Sequence, residues 1–159
     1  MTKFLKILTT KDKQEEELLR ETSEPVTSDD FNNPEFLQFT KDLLKTAKES
    51  KIPACGIAAP QVGLFKRLYY ILNNDTNQWE LIINPKIEPV GFAKTGIQEA
   101  CLSVPEIQGK VLRYKNIKVK YQDISGKWQT KKYNDYNAIT VQHENDHLNG
   151  ILFIDKMEK

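Results

Sequence analysis

Antiparallel or mixed β-sheets packed around a C-terminal helix, with a second helix near the N-terminus, make the α+β fold that this sequence predicts. Three observations lead there. Phe36, Thr40, Leu43 and Ala47 recur at helical spacing early in the chain. Residues 111–122 alternate, with Val111, Arg113, Ile117, Val119 and Tyr121 on one side and Lys118 and Lys120 on the other. The only two histidines, His143 and His147, lie four residues apart near the C-terminus, which on a helix puts both imidazoles on one face.

The elements follow in order. A short helix is expected near 14–20. The next helix has Asn33 as its cap, Pro34 in its first turn and Glu35 at its positive end, and stops before Pro53. Residues 54–61 are small and form a tight turn shaped by Pro60. Residues 67–72 and 80–83 read as strands joined by the Asn73–Asn77 turn. Asn84-Pro85 predicts a break, followed by a separate strand over 86–92. Residues 97–102 are expected to be extended, and 111–122 to form one strand turning at 123–127 into another over 128–133. The last helix is expected over 137–149.

Length and composition narrow the class. A chain of 159 residues suits one domain spanning 1–159, with room for a real core. A formal charge of +1 predicts no basic face for nucleic acid or membrane. No apolar run reaches membrane-spanning length. Neither a signal peptide nor a transit peptide is legible at the start, so a cytoplasmic protein with Cys55 and Cys101 as free thiols is expected.

The chemistry centres on His143-Glu144-Asn145-Asp146-His147. Two imidazoles on one helix face can hold a divalent metal, with the intervening glutamate as general base. A catalytic metal of this kind takes three protein ligands. The position a third histidine would fill in one such class is Phe153, which cannot bind a metal. Asp155 and Glu158 sit in a polar tail with little room. The best candidate is Cys101, in Glu99-Ala100-Cys101-Leu102-Ser103-Val104-Pro105.

That segment and Gln142-His143-Glu144-Asn145-Asp146-His147-Leu148 resemble two of the three motifs of peptide deformylases. Ala54-Cys55-Gly56-Ile57-Ala58-Ala59-Pro60-Gln61 resembles the third. All three stand in the family's order. The few residues after Asp155 make the chain similar to the shorter members, which lack a further C-terminal helix.

The resemblance implies one divalent metal per chain, Fe²⁺ in the cell or Zn²⁺, held by Cys101, His143 and His147. It implies Glu144 as general base and acid, with the Gln61 amide and the Leu102 backbone N–H holding the developing oxyanion. It points to Ile97, Ile139 and Thr140 as walls of a methionine pocket, although each could equally be ordinary core. Cys55 and Gly56 would lie on a segment that pairs with extended peptide, and Glu99 would pair with Arg113.

The expected reaction is removal of the N-formyl group from formyl-methionine on nascent polypeptides, releasing formate. A monomer is expected, in a bacterial or phage-infected cytosol with an organelle left open. Transient ribosome contact is expected, with no direct nucleic-acid or membrane binding. The alternatives are another HExxH metallopeptidase and a non-catalytic module for formylated N-termini. Ala54 and Ala100 replace family glycines, which either strains the backbone or narrows the groove. The second is preferred, because every metal and acid–base residue is present.

Overall fold

The structure, a computed structural model, describes residues 1–158. It has mixed α+β architecture with antiparallel sheets and a C-terminal helix. The helices are α1 (Lys13–Leu19), α2 (Ser28–Phe31), α3 (Pro34–Lys48) and α4 (Asp135–Leu148). The strands are β1 (Gly56–Ala58), β2 (Leu68–Asn73), β3 (Gln78–Pro89), β4 (Lys94–Cys101), β5 (Val104–Tyr114), β6 (Asn116–Gln122) and β7 (Trp128–Asn134). A five-stranded sheet runs β1-β2-β3-β6-β7, and β4 pairs with β5 in a separate ribbon. Every pairing between these strands is antiparallel.

Local chemistry accounts for the helix starts. The Asn33 side chain accepts from the Glu35 N–H at 2.9 Å, and Pro34 occupies the first turn. α3 buries Phe36, Leu43 and Ala47 against one face of the large sheet, where Leu68, Tyr70 and Ile83 meet them. α4 packs on the opposite face through Ala138, Val141 and Leu148, against Tyr69, Ile82, Ile117, Val119 and Tyr133. It ends at Gly150, which has φ +70° and lies so close to the Arg20 carbonyl that a Cβ there would be 2.1 Å from its oxygen.

Two expectations about strands are corrected. Asn84-Pro85 does not end a strand. β3 runs straight through it, with a register shift between Ile83 and Lys86. Asn84 adopts φ 51° in this bulge, and its side chain bonds to Val26 and Gln122, so the proline falls where the ladder is already interrupted. Residues 111–122 are not one strand. They divide at Lys115 into β5 and β6, which belong to different sheets. The buried positions Val111, Arg113, Ile117 and Val119 keep one parity across the break, and only Lys115, exposed where that parity calls for a buried residue, departs from it. The four-residue helix α2, capped by Thr27 with Asp30 returning the bond, has no counterpart in the sequence reading.

Candidate metal and catalytic site

β4 carries Cys101 at its end. Leu102 and Ser103 form the turn into β5, where Val104 pairs with Cys101, so the thiol is presented at a tight reversal. α4 carries His143, Glu144 and His147. The cysteine sulfur and a nitrogen from each ring all lie within 4.8 Å of one another. Cys101 Sγ is 3.4 Å from His147 Nε2. A tetrahedral ion with Zn–S and Zn–N bonds of about 2.3 and 2.0 Å has donor–donor edges of about 3.3–3.6 Å, so this set fits a divalent ion.

The electrostatics agree. Burial disfavours a charged His143, but its hydrogen bonds with Cys101 and Glu99 outweigh burial and raise it well above the ordinary imidazole value. The cluster therefore attracts positive charge. His147 is pushed well below that value by burial and by the charges of His143 and Arg113, which leaves a neutral ring suited to ligation.

A buried ion-pair network orients His143. Its Nδ1 meets Glu99 Oε1 at 2.8 Å, leaving Nε2 for the cluster. Arg113 donates to both Glu99 oxygens, at 2.7 and 2.9 Å, and to Asp146 at 2.9 Å. Lys156 completes the chain by donating to Asp146 at 3.1 Å. Burial opposes ionisation of Glu99, but the bonds from His143 and Arg113 outweigh it and hold the carboxyl below its usual range. No sequence signal marks Asp146 or Lys156 for this network. Asp146 stands inside the histidine motif, but nothing local indicates that it turns toward a strand 33 residues away.

Glu144 is only 4% exposed. Burial lifts its carboxyl to about 7. Its Oε1 is buried without a hydrogen-bond partner, which leaves an acceptor free beside the cluster. Gly56 lies directly against it: a Cβ there would be 2.6 Å from Glu144 Oε2. This glycine makes room for the carboxylate.

Gln61 is held rigidly. Its Oε1 accepts from the Ala58 N–H at 2.9 Å, and its Nε2 donates to Ser103 Oγ at 3.0 Å while lying 3.6 Å from Cys101 Sγ. A cavity of about 760 Å³ brings these groups together. Its walls include Gln61, Cys101, Leu102, His143 and Glu144, together with Cys55, Gly56, Ile97, Ile139 and Thr140. His147 is buried and forms no part of the wall. The Cys55 thiol lies 3.1 Å from the hydroxyl of Tyr136, a wall residue that no sequence signal marked. Ala54 and Ala100 face the same cavity, and neither is among the residues with positive φ. Their methyls narrow the groove without straining the backbone.

The chain is similar to known proteins in sequence and in fold. The family model described as "Polypeptide deformylase" matches residues 4–159. A peptide deformylase of Fusobacterium nucleatum is 38% identical over 142 residues, covering 89% of this chain and 79% of that one. One from Leptospira biflexa is 33% identical over 150 residues, covering 89% and 83%. The crystal structure of peptide deformylase from Thermotoga maritima superposes with a TM-score of 0.86 at 33% identity, over 98% of this chain and 99% of that one. With agreement in sequence along nearly the whole chain and in fold, this chain belongs to the polypeptide deformylase family.

Proposed function

We propose that residues 1–159 act as one catalytic domain that removes the N-formyl group from formyl-methionine at the start of new polypeptides. The observation that carries this reading is the meeting of a thiol and two imidazoles with the raised, unpartnered carboxyl of Glu144 on one cavity. An α+β fold whose C-terminal helix bears HExxH serves this chemistry, because the spacing puts both ligands and the base on one side of α4.

Cys101, His143 and His147 are the metal ligands in this reading. The bound divalent ion supplies Lewis acidity, acidifying water toward about pH 7 and polarising a carbonyl. Fe²⁺ serves in the cell, and Zn²⁺ suits the same donors. Glu144 takes the proton as water attacks the formyl carbon, then gives it to the departing amine nitrogen. A carboxyl near 7 suits both steps. Charge gathering on the formyl oxygen meets the Leu102 backbone N–H and the Gln61 amide. Ser103 engages one N–H of that amide and leaves the other aimed toward the cysteine side. The C–N bond breaks, giving formate and a free N-terminus.

The peptide lies extended along Cys55 and Gly56, pairing backbone to backbone. Ile97, Ile139 and Thr140 take the methionine side chain. Ile139 serves core and pocket together, being 4% exposed and still part of the wall. The solved structure of the Acinetobacter baumannii enzyme described as "Met-ala-ser bound" superposes with a TM-score of 0.88 at 30% identity, over 99% of this chain and 100% of that one. It supports a peptide in this groove. Among the described residues no helix is long and apolar enough to cross a membrane. We place the protein in the cytoplasm as a monomer, with transient contact at the ribosome where formylated chains emerge.

Formate release from formyl-Met-Ala-Ser tests the reading, using anaerobically purified, Fe²⁺-loaded protein beside Glu144→Ala and an acetyl-Met control. Release by the parent alone, from the formyl peptide alone, is expected. Equal release by Glu144→Ala would remove the general base from the mechanism. Tight binding without release would make the protein a binding module.

A further inference from the structure

The outer face of the large sheet gathers charge that the sequence disperses. Ile117 and Val119 point inward to α4, so alternation sends Lys118 and Lys120 outward, away from the cavity. Register then aligns their neighbours. Lys120 stands opposite Lys86 of β3, and Lys118 lies between Glu88 of β3 and Lys132 of β7. All four lysines are exposed. Two of these cross-strand pairs, Lys86–Lys120 and Lys118–Lys132, set like charges directly opposite each other, which opposes strand pairing. Glu88 is the one acid in these rows, 3.9 Å from Lys118.

Trp128 stands on the same face at 46% exposure. Lys86 Nζ and Lys120 Nζ lie 5.6 and 5.2 Å from its ring centroid. An exposed indole beside ammonium groups is the pairing that takes an unpaired base on the ring and phosphates on the cations.

We propose that the outer face of β3, β6 and β7 binds single-stranded nucleic acid. Trp128 stacks on a base while Lys86, Lys118, Lys120 and Lys132 meet the flanking phosphates. The flexible lysine stems let the ammonium groups move from the indole to the backbone as the base arrives. A duplex fits less well, because its bases are already stacked and the indole has none to take. An anionic membrane fits less well too, since one half-exposed aromatic among lysines offers little to insert. The near-zero total charge predicts no such face, but the lysines of three strands gather on one side, and the face, not the chain, sets the local potential.

The test is fluorescence anisotropy of a short fluorescein-labelled oligouridylate with the full, metal-loaded chain. The parent should bind at low salt and lose roughly 20- to 50-fold in affinity between about 50 and 200 mM, the slope expected for three or four phosphate contacts to a single strand. Lys118→Glu with Lys120→Glu should weaken binding at least about tenfold. Trp128→Ala should weaken it about tenfold and Trp128→Phe much less, because phenylalanine keeps a stacking face. Unchanged melting and formate release in these variants would mark the loss as local to the face. The proposal is overturned by no binding at low salt, by variants that bind like the parent, by equal affinity for a duplex, or by competition from polyglutamate or phosphatidylglycerol vesicles as effective as that from oligouridylate.

Discussion

A single methyl group tests how the base is held. Gly56 has an ordinary φ, so Gly56→Ala adds no backbone strain, and its whole effect lies in what the new Cβ meets. That atom would stand 2.6, 2.8 and 2.9 Å from Oε2, Cγ and Cδ of Glu144. Reaching an ordinary contact of 3.4 Å requires Oε2 to retreat by about 0.8 Å. Glu144 is buried but borders the cavity, so the retreat displaces its carboxyl from its present position. Crowding a packed interior by one methyl typically costs about 1–3 kcal/mol, and displacing a reacting group by about 1 Å can cost about 10²-fold in rate. Gly56→Ala should therefore lower kcat/KM on formyl-Met-Ala-Ser by about 10²-fold while metal content stays near one per chain. In the double variant with Glu144→Asp, the shorter side chain withdraws from the methyl, so the two losses should fall well short of multiplying. Steady-state kinetics with metal analysis and thermal melts would measure this. Parent-like kcat/KM and melting in Gly56→Ala would refute the argument, as would losses that multiply in full.

Other outcomes follow from the same contacts. Glu99→Ala leaves Arg113 buried with only Asp146 and frees His143, so stability should fall by about 3–5 kcal/mol and metal should be lost more readily to a chelator, read by denaturant titration and metal analysis. Ala100→Gly relieves no strain, because Ala100 has no positive φ; stability should change by less than about 1 kcal/mol and the effect should appear in KM. Burial opposes ionisation of Glu80, but bonds from Lys131, Tyr133 and Asn73 hold its carboxyl below the ordinary value. Its stabilisation is complete above about pH 4.5 and lost as pH falls through the lowered value, so Glu80→Gln should cost about 1–3 kcal/mol at neutral pH. That deficit should shrink in denaturant titrations repeated below about pH 4.

Legibility followed the range of the interaction. The cap at Asn33 and the helical run behind it depend on residues a few positions apart, and they were readable. So was the helix with His143 and His147. Its environment was not: α4 is rich in polar residues, yet Asn137, Glu144, Asp146 and His147 are all buried. Partners from other elements engage Asn137 and Asp146, while Glu144 borders the cavity and His147 joins Cys101 and His143. The division of 111–122 between two sheets leaves the alternation in phase, and its one local trace is an exposed lysine, Lys115, on the side that is otherwise buried.

By itself the sequence determined which atoms are available for chemistry: one thiol in a tight-turn segment, two imidazoles on one helix face and a carboxylate between them. Those follow from residue type and local spacing. The tertiary structure alone decided that Gly56 must leave room for Glu144, that Arg113 links Glu99 to Asp146, and that lysines from three strands share one face. Each depends on register between segments far apart in the chain. Register is set by the summed burial of both sheets, a property of the packed whole that no window of neighbouring residues contains.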